Sequence, residues 1–568
     1  MARVLIASVL VLGLASCGDG NRGGMVSTAN RHASQAALEM LNRGGSAVDA
    51  AIAAQMVLTL VEPQSSGIGG GAFLMHWDAD DETVGAYDGR EKAPAAAGPD
   101  LFLNPDKTPM GFMDAVVGGR AVGVPGVIAM LSRAHQEHGK LDWAELFTPA
   151  IRLAQNGFKV SARLHAMITA QNALTQHTST REYFYIESVE LAGALEPLPV
   201  GYIRANPAYA NTLRRIAKEG PAGFYEGKVA KAIVNAVHNH ENPGLLTLAD
   251  LKGYDARKRS ALCRRYREYK VCGMPPPTSG GLTSLMILGM LEPFDLSALR
   301  PGSPMAVHLI SEASKLAYAD RAVYMADSDF VSVPVEQLLS PGYLRKRSLD
   351  IHPGKTMGKA KPGTFGPEKS PQRAADLHHG RPSTSHLAVV DADGNAVSMT
   401  TSVEGPFGSH MMAAGFILNN QLTDFSFQPE INGKPVANAV APGKRPRSSM
   451  SPTLVFNKRG NLFAAVGSPG GSRIITYVTQ TLIGLIDWDM DMQSAIDLPR
   501  HVNRNGPIEL EAETDLNEHV AALEALGHKV SSKKLTSGLH GIMVGRKGLD
   551  GGADKRREGV VMSTGGRN

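Results

Sequence analysis

Cysteine is scarce in this sequence, with three residues in 568. That excludes a scaffold stapled by many disulfides, and no Cys/His cluster has the spacing of a structural zinc site. An excess of one charge is also missing. The balance is +4 and dispersed along the chain, too little to mark a nucleic-acid partner. Internal repeats are absent as well, so a solenoid or propeller is set aside. What remains is a globular composition, 43% hydrophobic and 20% charged. The length suits three or four domains or one large fold with a sizeable core.

The first cysteine stands in a targeting context. Arg3 is followed by an apolar run from Val4 to Leu14, then Ala15-Ser16-Cys17. A basic start, a short apolar core and small residues before a cleavage point describe a secretory signal, too short to span a membrane as a mature helix. "LASC" resembles the lipobox of bacterial lipoproteins, in which the Cys becomes the lipid-bearing first residue; a plain signal peptide with an incidental Cys is the alternative. The expected location is the bacterial cell envelope, periplasmic or outer-surface, with Cys17 as a lipid anchor and no other membrane contact. Cys263 and Cys272, in "SALCRRYREYKVCGM", fall directly opposite each other if Arg267-Glu268 form a two-residue hairpin loop. A disulfide and two buried free thiols are equally compatible with that spacing.

Beyond the signal, residues 18–28 read as a flexible tether and 29–351 as a mostly helical part. "SQAALEMLNRGGSAVDAAIAAQMVLTLVEP" gives two helices broken at Gly44-Gly45, with Ser46 capping the second. "SSGIGGGAFLMHW" is a glycine loop feeding a strand. The loop follows a helix and precedes a strand, the reverse of a dinucleotide fingerprint, so a tight backbone crossing is expected. Residues 352–383, rich in Gly, Pro and Lys, read as a linker unable to offset its ordering entropy, with His378-His379 a solvated pair. After it the texture turns to strands: His386–Val390, a turn at Asp391–Asn395, and a returning strand from Ala396 to Ser402. A strand-rich centre with helical flanks predicts sheets covered by helices.

Thr384 therefore sits where a loose segment meets a rigid strand. A threonine hydroxyl is a poor nucleophile unless a base takes its proton. The residue's own α-amine, titrating near 7.7–8.0, is suited to that work, but exists only if the preceding peptide bond is cut. "AAVGSPGGSRIITYV" supplies a second feature. A strand ends, Gly467–Gly471 turns, and a helix opens near Arg473, so successive backbone N–H groups form a site for negative charge. Without the Gly-Lys-Ser/Thr of a P-loop, an oxyanion pocket for acyl transfer fits better than a phosphate site.

The stretch from Thr384 through "GFILNNQLTDFS", "GKRPRSSMSPT" and "GSPGGSRI" resembles the γ-glutamyltransferases, self-cleaving enzymes among the N-terminal nucleophile hydrolases. "GIGGGAF", "DGREKAPAAA", "VGVPGV", "MPPPTSGG" and "YADR" extend the resemblance from about Ala29 to the C-terminus. It implies an α+β fold of four layers, αββα, and autocleavage between Ser383 and Thr384 into a large subunit and a small one, residues 384–568. It implies Thr384 as nucleophile and base, Ser402 where a second Thr usually orients the amine, and Gly470 and Gly471 as oxyanion donors. Arg90, with Ser448 and Ser449, would hold the donor's α-carboxylate, and Gln421 and Asp424 its α-ammonium. Glu404 stands where the familiar enzymes carry Asn and adds a negative charge beside Asp424. Two carboxylates suit an amino-bearing donor and oppose a glutaryl one. The segment from Phe425 to Pro446 is shorter than in members with a full lid. The implied partners are glutathione or another γ-glutamyl donor and water or an amino-acid or peptide acceptor, with no cofactor or metal. A glutaryl-type cephalosporin acylase of the same fold and an inactive γ-glutamyl-binding lipoprotein are the alternatives.

Overall fold

The computed structural model describes residues 23–188, 192–365, 373–377 and 383–565. The signal segment with Cys17, part of the tether and His378-His379 lie outside the described residues. Among the described residues no helix is long and apolar enough to cross a membrane.

Thirteen strands build two stacked sheets. They are β1 (Met25–Thr28), β2 (Gly71–Asp78), β3 (Thr83–Gly89), β4 (Arg257–Arg259), β5 (Leu262–Tyr266), β6 (Tyr269–Gly273), β7 (Ser385–Val390), β8 (Ala396–Ser402), β9 (Thr453–Phe456), β10 (Leu462–Gly467), β11 (His540–Gly545), β12 (Gly548–Ala553) and β13 (Val560–Ser563). The first sheet runs β13-β1-β7-β8-β2-β3-β4, the second β12-β11-β10-β9-β6-β5, and every pairing in both is antiparallel.

Side-chain alternation explains the layers. Ala72, Leu74, Leu387, Val389, Val397 and Met399 point into one core with the helices α1 (Arg31–Asn42), α2 (Ala47–Val61) and α3 (Val127–His138). Their neighbours Phe73, Met75, Trp77, Ala388, Val390 and Ala396 point the other way, against Leu454, Val466 and Ile542 of the second sheet. A sheet buried on both faces has apolar residues at both parities, as "GAFLMHW" does. The far face of the second sheet is covered by α4 (Gly280–Leu291), α5 (Pro304–Tyr324) and α6 (Ile474–Ile486). The result is the expected α+β, four-layer αββα arrangement.

Local signals were obeyed closely. Ser46 and Asp49 form a reciprocal capping box at the start of α2. Cys263 and Cys272 are cross-strand partners on β5 and β6, and the disulfide is formed across a Cα separation of 4.1 Å. The glycine loop is a backbone crossing: a Cβ on Gly70 would lie 2.1 Å from the Ser402 carbonyl oxygen, and one on Gly69 2.1 Å from that of Ile417.

The beginning of the supposed linker departs from its reading. Thr356 Oγ1 and Met357 N–H donate to Glu312, and Gly363 N–H donates to Asp320 at 2.6 Å. Asp376 pairs with Arg447 at 2.9 Å. Buried charges on α5 and its surroundings hold this polar chain through hydrogen bonds, a source of order that apolar periodicity does not reveal.

Gly70→Ala is expected to cost about 1–3 kcal/mol by overpacking. Thermal melting should show a clear loss relative to Gly98→Ala, whose added Cβ meets nothing within 4 Å.

Candidate active site

Thr384 immediately precedes β7, and Ser402 ends β8. Ser385 pairs with Thr401, so the register continued by one residue sets Thr384 opposite Ser402. Their hydroxyl oxygens are 3.0 Å apart, and Ser402 Oγ also accepts the Glu404 N–H at 2.9 Å. The Thr384 carbonyl accepts a hydrogen bond of 2.8 Å from the buried Arg557 guanidinium, whose pKa burial lowers to about 9. Ser383 and Thr384 are themselves buried, and the Ser383 hydroxyl donates to the Gln64 carbonyl. Thr384 has φ +114°, a region that a β-branched side chain resists at a cost of order 1–3 kcal/mol.

Thr384 and Ser402 open onto a polar cleft. Arg90, at the end of β3, is fully buried along one wall. Its Nε donates to the Pro446 carbonyl at 3.1 Å, and its Nη2 pairs with Asp424 at 2.6 Å. Its Nη1 has no hydrogen-bond partner among the described residues. Gln421 Nε2 donates to the same Asp424 oxygen at 3.1 Å, while Gln421 Oε1 is buried without a partner among the described residues. Glu404 Oε2 accepts from Asn420 Nδ2 at 2.6 Å. Ser448 Oγ accepts the Met450 N–H, and Ser449 Oγ accepts from Arg321 Nη2 at 2.8 Å. Gly471 and Ser472 close the wall, with Gly470 one residue back in a positive-φ turn, where a Cβ would meet the Tyr477 ring at 2.7 Å.

The cleft thus gathers a buried hydroxyl, guanidinium donors and a glycine turn. The gamma-glutamyltranspeptidase family model matches residues 33–564. The chain belongs to that family. It is 37% identical to the glutathione hydrolase proenzyme of Escherichia coli strain K12 over 548 residues, covering 94% of this chain and 90% of the relative. Among solved structures it resembles a cephalosporin acylase from Bacillus halodurans, with TM-score 0.82, 28% identity and coverage of 96% and 97%. It also resembles Helicobacter pylori gamma-glutamyltranspeptidase, with TM-score 0.57 and 34% identity over 60% of this chain and 96% of that one.

Within this member of the gamma-glutamyltranspeptidase family, the cleft brings together Thr384, Ser402, Arg90, Glu404, Gln421, Asp424, Ser448, Ser449 and Gly471. Sequence reasoning missed two guanidiniums. Arg321, from the "YADR" turn of α5, donates to Ser279 and Ser449 and has no carboxylate within ion-pair distance among the described residues. Burial, reinforced by Arg447, lowers its pKa to about 9. Arg447 lines the cleft too, paired behind it with Asp376. Next to Arg90, burial pushes the Glu91 carboxyl up to about 8, so Asp424 is the nearer neutralising group for that guanidinium.

The Gly470-Gly471 turn is anchored from behind. Glu509 receives Arg473 at 2.7 Å and Arg504 at 2.9 Å, and Arg504 also donates to Ser472 Oγ. Burial works to raise the Glu509 carboxyl, but the bonds and charges of Arg473, Arg504 and Lys533 outweigh it and bring its pKa to about 2. A depressed carboxyl pKa contributes stability that is present above the ordinary value of 4.5 and is lost as pH falls toward 2. Glu509→Gln should therefore lower the melting temperature at pH 7 and flatten the decline that the parent shows between those two pH values.

Proposed function

We propose that this chain transfers the γ-glutamyl group of glutathione and related γ-glutamyl amides to water or an acceptor amine, after cutting itself between Ser383 and Thr384. The observation that carries the reading is the position of Thr384: a cleft-facing hydroxyl on the first residue before a strand, in a strained backbone conformation. The torsion φ includes the preceding carbonyl carbon, so cutting that peptide bond abolishes the strain and frees an α-amine beside Oγ1. The small product would be residues 384–568.

In the cut enzyme the amine takes the proton of Thr384 Oγ1 as that oxygen attacks the γ-amide carbonyl. N–H groups of the Gly470-Gly471 turn stabilise the oxyanion. The amine then returns the proton to the departing nitrogen, leaving a γ-glutamyl ester on Thr384. Water or an acceptor amine attacks the ester and restores the hydroxyl. Ser402 orients the amine. The donor's α-carboxylate meets Arg90, Ser448 and Ser449, with Arg321 behind them, and its ammonium meets Asp424, Gln421 and Glu404. A zwitterionic head group adds no net charge to a cleft that already balances cations with carboxylates.

The likeness to a cephalosporin acylase supports a second reading, hydrolysis of glutaryl-type amides. Glu404 and Asp424 disfavour it, since a glutaryl group brings no ammonium to them. Paired assays with γ-glutamyl and glutaryl anilides separate the two. The same reading places the mature protein in the bacterial envelope, lipidated at Cys17, and the Cys263–Cys272 disulfide supports an oxidising compartment.

Thr384→Ala is expected to give one uncut chain without turnover of a γ-glutamyl anilide, where the parent gives two bands on denaturing electrophoresis. Two bands from the variant would place the cut elsewhere. Glu404→Gln should still be cut but should raise KM for γ-glutamyl donors several-fold, about 1 kcal/mol for one lost charge-assisted contact. An unchanged KM would remove Glu404 from the ammonium site.

A further inference from the structure

Away from the cleft, His76, Asp78 and His138 bring three ligand-type atoms within 4.8 Å of one another. His76 and Asp78 lie at the end of β2, and His138 ends α3. His76 is 2% exposed, and its Nδ1 is buried with no hydrogen-bond partner among the described residues. The side chains of His138 and Asp78 are partly open to solvent, which gives an ion a way in.

Hydrogen bonding fixes which nitrogen of His138 is available. Glu137 is paired with Lys258, and as a carboxylate it can only accept. The Tyr87 hydroxyl therefore spends its one proton on Glu137 Oε2, at 2.7 Å. Its oxygen must then accept from His138 Nε2–H, also at 2.7 Å. The remaining nitrogen of the neutral ring, Nδ1, carries a lone pair and faces Asp78 Oδ2 at 3.6 Å. A lone pair and a carboxylate oxygen repel at that distance unless a cation joins them. Asp78, Asp81 and Glu137 supply negative charge around His138, against Lys258.

We propose that His76, Asp78 and His138 bind one divalent cation of the zinc class, with water completing the shell and Tyr87 orienting His138 from outside it. Two imidazoles and a carboxylate are donors of borderline softness, suited to Zn(II) and to Co(II) as its spectroscopic substitute. A ring N–H given to an outer partner, as His138 gives one to Tyr87, is the usual support of a metal-bound histidine. The two rings stack at 3.8 Å between centroids and 26° between planes, so binding tilts His76 off that stack toward the carboxylate. The ion would clip the end of β2 to the end of α3 and plays no part in acyl transfer. A second triad, His308, Glu312 and His528, is unlike it. There Lys315 Nζ donates to Glu312 at 2.7 Å and reaches His528 Nδ1 at 3.4 Å, and both His308 nitrogens are already engaged. An ammonium already fills the place of an ion.

The test uses untagged full-length protein, stripped with a chelator and titrated calorimetrically with Zn(II), then with Co(II) followed by visible absorption. One saturable equivalent is expected, with at least tenfold weaker binding in both Asp78→Asn and His138→Gln. Tyr87→Phe, which keeps all three ligands, should weaken binding about 10–100-fold. Zn(II) should raise the melting temperature of the parent and not of Asp78→Asn. The proposal is overturned if no saturable equivalent binds, or if both ligand variants bind as tightly as the parent.

Discussion

The peptide bond between Ser383 and Thr384 is the constraint on which the rest of the molecule depends. Thr384 is buried, its carbonyl is held by Arg557, and its hydroxyl is held opposite Ser402, while its backbone occupies a conformation a threonine resists. Strain of this kind persists only where the surroundings over-determine it. Here the surroundings are a seven-stranded sheet buried on both faces, with β7 and β8 near its centre. Local flexing of the junction is opposed by that whole sheet, whereas breaking one covalent bond relieves it. On the proposed function, the same break creates the base that the adjacent hydroxyl lacks.

The cleft around that junction is organised by charge more than by shape. Arg90, Arg321 and Arg447 are taken almost entirely out of water, an arrangement that costs several kcal/mol per ion unless partners compensate. Asp424 compensates Arg90, and Asp376 compensates Arg447. Arg321 is compensated by hydroxyls rather than by a carboxylate, and Arg90 Nη1 makes no hydrogen bond among the described residues, with the Glu91 carboxyl 3.5 Å away. Such a site suits a ligand that brings one carboxylate and one ammonium together. In the proposed reading, Glu404 adds a second carboxylate on the ammonium side and favours a γ-glutamyl over a glutaryl donor.

Much of this architecture was legible in the sequence because local chemistry and global fold agree. Ser46 reads as a cap and caps; Asp391–Asn395 reads as a turn and turns; the cysteines read as cross-strand neighbours and pair. Thr384 and the Gly467–Gly471 turn stood out by position, but the donor-binding residues were legible only through motif resemblance, since Ser448, Ser449 and Gln421 look like ordinary turn polarity when taken singly. Arg321 and Arg447 escaped notice because their approach to the cleft depends on how α5 and the second sheet stack, a distance relation that no local pattern encodes. The beginning of the linker was misjudged for a related reason. Its order comes from hydrogen bonds to Glu312 and Asp320, charges that sequence periodicity treats as solvent-facing although α5 buries them.

The account stands on a liberated amine at position 384. N-terminal sequencing of the smaller fragment of the purified mature protein, with its intact mass, tests this most directly. A fragment beginning Thr-Ser-His-Leu is the predicted result. A different first residue, or a mature protein that is fully active as a single uncut chain, would contradict it.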